Sequence, residues 1–160
     1  MASNTVKVVS RSELIGLRRQ LGAQGARVVF TNGCFDLLHR GHVEYLAEAR
    51  ELGDVLVVGI NSDASVRALK GEGRPFMPQQ DRAAIVAALE AVSYVCIFDE
   101  VSVEGLIAEV MPDILVKGGD YRIDEVVGGK IVERAGGEVR ALCLHPGLAT
   151  TTLIDRIKNA

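Results

Sequence analysis

The run Asp54-Val55-Leu56-Val57-Val58-Gly59-Ile60 is apolar almost throughout, and it constrains the fold more than any other stretch. A strand with one wet face alternates apolar and polar residues, whereas an unbroken β-branched run needs cover on both faces. Parallel sheets obtain that cover from crossover helices. Shorter runs of the same kind occupy residues 27–31, 94–98, 113–117 and 138–144. Segments of helical period lie between them. Ser10-Arg11-Ser12-Glu13 has the spacing of a capping box and opens a helix with Leu14, Leu17 and Leu21 on one face. Further helices are expected over residues 41–52, with Val43, Leu46 and Ala47 turned inward, and over 62–70, 81–91, 103–110, 125–135 and 151–158. Gly128 and Gly129 weaken the one at 125–135. Five short strands alternating with helices predict an open, five-stranded parallel α/β sheet.

At 160 residues the chain fits one domain able to bury a core, and 48% hydrophobic with 24% charged residues is a globular balance. Residues 1–160 are therefore expected to form a single Rossmann-like domain, with 1–25 as an N-terminal helical extension. No apolar run approaches the ~18 residues of a membrane helix, and no signal-peptide pattern opens the chain, so a cytoplasmic protein without membrane contact is expected. Cys34, Cys96 and Cys143 are odd in number and lack CxxC spacing, against a disulfide framework or a zinc site and in favour of a reducing compartment. A net charge of −3 argues against a broad nucleic-acid face. Any anion chemistry needs local positive charge.

Open α/β sheets bind ligands beyond the carboxyl ends of their strands, here residues 32–42, 61–63, 117–121 and 146–151. The first of these is the richest. Gly33 lets the backbone turn and approach a ligand, and the helix starting near Gly41 aims its positive end at the same place. His39 and His42, two of the three histidines, lie one turn apart at that helix start. Two converging imidazoles can donate hydrogen bonds to a phosphate as charge builds during transfer, protonated if the site demands it. A capping role competes for either histidine. A zinc site lacks further ligands at suitable spacing. Cys34 is either a nucleophile or simply buried, and Asp36 either catalytic or turn-stabilising. GxxxxGK[ST], GxGxxG after the first strand and GxSxG are all absent, which disfavours P-loop, dinucleotide and serine-hydrolase chemistry.

The segment Thr31-Asn32-Gly33-Cys34-Phe35-Asp36-Leu37-Leu38-His39-Arg40-Gly41-His42 resembles the TxGxFDxxHxGH signature of cytidylyltransferase-like nucleotidylyltransferases. Residues 59–63, 69–75 (LKGEGRP), 112–121 (with KGGDY) and 149–151 are similar, more narrowly, to the branch that transfers AMP from ATP to D-glycero-D-manno-heptose 1-phosphate for lipopolysaccharide core synthesis. The resemblance implies ATP with Mg²⁺ and a sugar 1-phosphate as partners, and a homo-oligomer, a dimer favoured. It implies catalytic roles for His39, His42 and Lys70. Thr31, Asn32, Gly33, Cys34, Phe35, Gly41, Thr150 and Thr151 would bind nucleotide, and Asn61, Asp63, Arg82, Lys117, Gly118 and Asp120 the acceptor. It names no protein ligand for the metal. On the residues alone, Arg82 reads as a surface side chain, and Thr150-Thr151 equally as a plain cap with Thr152 and Asp155 as its box. Lys117 ends an apolar strand, where its charge needs a partner. Ala149 stands where the family commonly has serine, and Leu144-His145-Pro146-Gly147 where relatives are more polar, with His145 near the nucleotide. Relatives of this kind are often fused to a sugar kinase; the short N-terminal extension predicts none here. Two alternatives are a cytidylyltransferase acting on a polyol or amino-alcohol phosphate such as glycerol 3-phosphate, and a non-catalytic nucleotide-binding module.

Overall fold

The computed structural model describes residues 7–119, 122–143, 147 and 149–160. Five strands, β1 (Val28–Gly33), β2 (Val55–Asn61), β3 (Tyr94–Phe98), β4 (Ile114–Gly118) and β5 (Glu138–Leu142), form one sheet in the order β3-β2-β1-β4-β5. Every pairing is parallel. The helices are α1 (Arg11–Ala23), α2 (Arg40–Glu51), α3 (Asp63–Lys70), α4 (Gln79–Ala88), α5 (Glu104–Val110), α6 (Gly129–Arg134) and α7 (Thr150–Lys158). None of the described helices is long and apolar enough to cross a membrane.

The unbroken apolar strands do have two covered faces. Val29, Leu56, Val58 and Ile60 pack with Leu46 of α2 and Val86 of α4, while Val28, Phe30 and Val57 pack with Leu14 of α1, Ile107 of α5 and Val132 of α6. Successive strand residues thus feed opposite cores, as a period of two requires. The chain winds outward from β1 to β3, then returns to place β4 on the other side of β1. That reversal opens a crevice between the ends of β1 and β4.

Several expectations change in detail. The inward face of α2 is Gly41, Tyr45, Leu46 and Ala49, whereas Val43 is 45% exposed and Ala47 also faces solvent. The buried residues keep a helical spacing of four, one and three, but on a different face from the one expected. The helix expected over 125–135 divides into a 3₁₀ turn (Ile123–Glu125) and α6. Gly128 lies between them at φ +81, and a Cβ there would fall 2.6 Å from Cδ1 of Ile107. The Ser10 capping box forms as expected. The extension before it also joins the sheet edge, through a bridge from Val8 to Val95.

Candidate active site

A cleft of about 820 Å³ opens at the β1/β4 crevice, a size usual for small-molecule sites. The strand ends supply Asn32 and Gly33 from β1, Asn61 from β2, and Lys117 and Gly118 from β4. His39 and His42 come from the start of α2, Lys70 from the end of α3, and Thr150 and Thr151 from the start of α7.

The histidines are held by their own helix. His39 is the N-cap of α2, and its Nδ1 accepts the Gly41 amide at 3.1 Å. The His39 amide in turn donates to Nδ1 of His42 at 3.3 Å. An imidazole nitrogen that accepts carries no proton, so each neutral ring bears its proton on Nε2. Capping therefore uses Nδ1 of each ring to close the helix end and leaves Nε2–H as a donor. The ring centroids stand 4.0 Å apart. Burial, and secondarily His39, lower His42 to about 4, and burial also lowers His39. Burial thus favours the neutral form of both rings in the absence of an anion.

The turn after β1 depends on both Phe35 and Gly33. Phe35 adopts φ +49, while a Cβ on Gly33 would sit 3.0 Å from the Phe35 ring. Asp36 beneath it accepts from the amides of Phe76 and Met77 and from Nε of Arg74 at 2.7 Å. Burial opposes its charge, but those donors outweigh it and hold the carboxyl below its ordinary range. Asp36 is thus the turn-stabilising carboxylate, and it ties the turn to the loop after Lys70.

Arg82 is not a surface residue. It is 1% exposed and donates to the carbonyls of Met77, Cys34 and Asn61 and to Oδ1 of Asp63. A guanidinium so engaged locks the turn, the end of β2 and the start of α4 together. Arg82 and Asp63, both expected to bind the acceptor, pair with each other and do not line the cleft. Thr31 is likewise buried, its hydroxyl 2.7 Å from that of Tyr45, and Gly41 is buried with its amide on His39. Neither of these two lines the cleft. Asn61 does line the cleft, but its amide group donates to Ser65 and its oxygen faces Sγ of Cys34.

Lys117 is partly buried in the cleft wall, and desolvation lowers its pKa. No described residue forms an ion pair or hydrogen bond with it, and Cys34 nearby only partly offsets the desolvation. Lys70 is exposed at the rim. Asp120 and His145 lie outside the described residues. Thr150 donates to the carbonyl of Leu37 at 3.3 Å. The N-cap of α7 is Ala149, without a side-chain bond, so the Thr152–Asp155 box does not form. Sequence reasoning quoted Leu69 and Arg74 within LKGEGRP but gave them no role, and it missed Val101, Val103 and Val127 of the apolar wall; a lone arginine in a glycine-rich loop carries no periodic signal.

Asp36 is the one carboxylate among the described lining residues, and its oxygens are occupied by donors. No described group of three His, Cys, Asp or Glu side chains is placed to hold a metal. The described lining residues therefore offer no protein-held Mg²⁺ cage.

Backbone amides of a turn, paired Nε2–H donors and cations thus meet at the switch point of a parallel α/β sheet. Residues 30–140 match the family described as Cytidylyltransferase-like, and the chain belongs to that family. It is 53% identical over 154 residues to the Bifunctional protein HldE of Geobacter sulfurreducens, covering 96% of this chain and 31% of that one. To the Bifunctional protein HldE of Proteus mirabilis it is 50% identical over 161 residues, covering 99% and 33%. The chain thus spans about a third of the length of these curated relatives. The crystal structure of the lipopolysaccharide core biosynthesis protein from Thermoplasma volcanium GSS1 matches with a TM-score of 0.62 at 31% identity, over 76% of this chain and 98% of that chain.

Proposed function

We propose that the chain is a nucleotidylyltransferase that moves AMP from ATP to a heptose 1-phosphate. The observation that carries the proposal is the pair of Nε2–H donors on His39 and His42, fixed side by side at the cleft floor. A phosphate oxygen of the sugar phosphate attacks the α-phosphorus of ATP in line, a P–O bond forms, and the bond to the departing pyrophosphate breaks. The two imidazoles stabilise the negative charge that grows on the α-phosphoryl oxygens, where preorganised donors have the largest effect. The amides of the turn at Cys34 and Phe35 cradle the nucleotide phosphates, and Thr150 and Thr151 meet the triphosphate tail. Lys70 approaches from the rim, and Lys117 offers a desolvated cation whose natural counter-charge is a substrate phosphate. Magnesium enters bound to ATP and supplies further charge neutralisation.

The choice of ATP and a heptose rests on the LKGEGRP and KGGDY resemblance, supported by the HldE relatives and by a structural neighbour named for lipopolysaccharide core biosynthesis. Such a reaction draws on cytoplasmic ATP. Purified protein should be offered each nucleoside triphosphate with Mg²⁺ and a panel of sugar and polyol phosphates, reading pyrophosphate. Turnover with ATP and heptose 1-phosphate is expected. Turnover with CTP and glycerol 3-phosphate, and none with the expected pair, would sink the specific assignment.

A further inference from the structure

Arg74, within LKGEGRP, lines the same cleft as the histidines and Lys70, yet the mechanism above gives it no role. Its Nε donates to the Asp36 carboxylate at 2.7 Å, the two side chains being 17% and 1% exposed. Its guanidinium carbon stands 4.9 Å from the centroid of the Phe76 ring. A carboxylate at one edge and a ring against one face fix the plane of the group. The two terminal amino groups hydrogen-bond to no described residue. A held guanidinium with two free amino groups is a fork for phosphate oxygens, which a flexible ammonium does not reproduce. Local charge agrees. The chain carries −3 overall, but Lys70, Arg74 and Lys117 face the cleft against Asp36 alone among the described residues.

Location narrows which phosphate is bound. Asp36 precedes Leu37, whose carbonyl accepts the Thr150 hydroxyl. Arg74 and the start of α7 therefore border the same turn. We propose that Arg74 binds the β- and γ-phosphates of the nucleotide, the part that leaves as pyrophosphate, with Asp36 as the positioning residue that orients it. This assignment rests on the nucleotidyl-transfer reading.

Arg74→Lys separates this role from a mere tether, because lysine keeps a cation for Asp36 but has no second pair of donors for a phosphate. Binding of inorganic pyrophosphate, measured by calorimetry, should weaken by about tenfold or more in the variant. KM for ATP should rise by a similar factor while KM for the acceptor stays, with the melting temperature retained. Wild-type pyrophosphate affinity in the variant, or a rise confined to the acceptor KM, would overturn the assignment. If lysine at 74 prevents folding, Arg74→Gln, which keeps an N–H for Asp36, is read by the same criteria. Pyrophosphate binding does not need a sugar acceptor. Loss of binding in the variant beside a wild type that transfers AMP to no heptose phosphate would uphold Arg74 and reject the substrate reading.

Discussion

His42 closes a helix end with one ring nitrogen and presents the other to the cleft. Its position in the folded chain lowers its pKa to about 4, against about 6.5 in an unfolded chain. Between those values the unfolded state binds more protons, so stability rises with pH across the window. The contribution is full above 6.5 and is lost as pH falls toward 4; His39, also lowered, acts in the same direction. Replacing His42 by Asn should flatten the melting-temperature profile between pH 4 and 6.5, and an unchanged slope would count against the assigned environment. The same variant should lower kcat by on the order of 10²-fold, since a lost transition-state donor has about that effect. Near-normal turnover would leave His42 with its capping role alone.

At the scale of elements, the loop from Gly71 to Pro78 depends on one carboxylate lying far back in sequence. Asp36 is 1% exposed at its side chain and gathers donors from Arg74, Phe76 and Met77. Asp36→Asn removes the charge, leaves Arg74 without its counter-ion and turns an amide N–H toward amide donors. Loss of such charge-assisted bonds should cost about 2 kcal/mol or more in chemical denaturation; a change under ~0.5 kcal/mol would show that the loop is held otherwise. Both readings of Asp36 fitted the sequence, because its partners arrive only when α3 and the loop fold back over the turn. The boundaries of β3 and the cap of α1 were legible, since an apolar run and a capping box are local. The break at Gly128 was half legible. The two glycines signalled weakness, but only packing against Ile107 required one of them.

Across the whole molecule, two apolar layers clamp the sheet, and α7 belongs to neither. It contains no buried residue, and its first turn reaches the body through the Thr150–Leu37 bond beside the cleft. An element with so few buried contacts has low local stability. A nucleotide that engages Thr150 and Thr151 should stabilise it. Amide hydrogen exchange in α7 is expected to slow more than in β1 or β2 when ATP and Mg²⁺ are added. Equal or no protection there would argue against a phosphate site at the start of α7.

The sequence by itself determined the order of elements, a parallel sheet covered on both faces, and a cleft at its carboxyl edge holding His39 and His42. Those features follow from periodicity, caps and turns, which act between residues close in the chain. Only the tertiary structure decided which polar side chains are free to meet a ligand. Arg82 and Asp63 neutralise each other, Thr31 is engaged by Tyr45, and Arg74 is left with donors facing the cleft. The reason is physical. A buried polar group takes whatever partner the packed elements bring within 3 Å or so, and that partner is often tens of residues away.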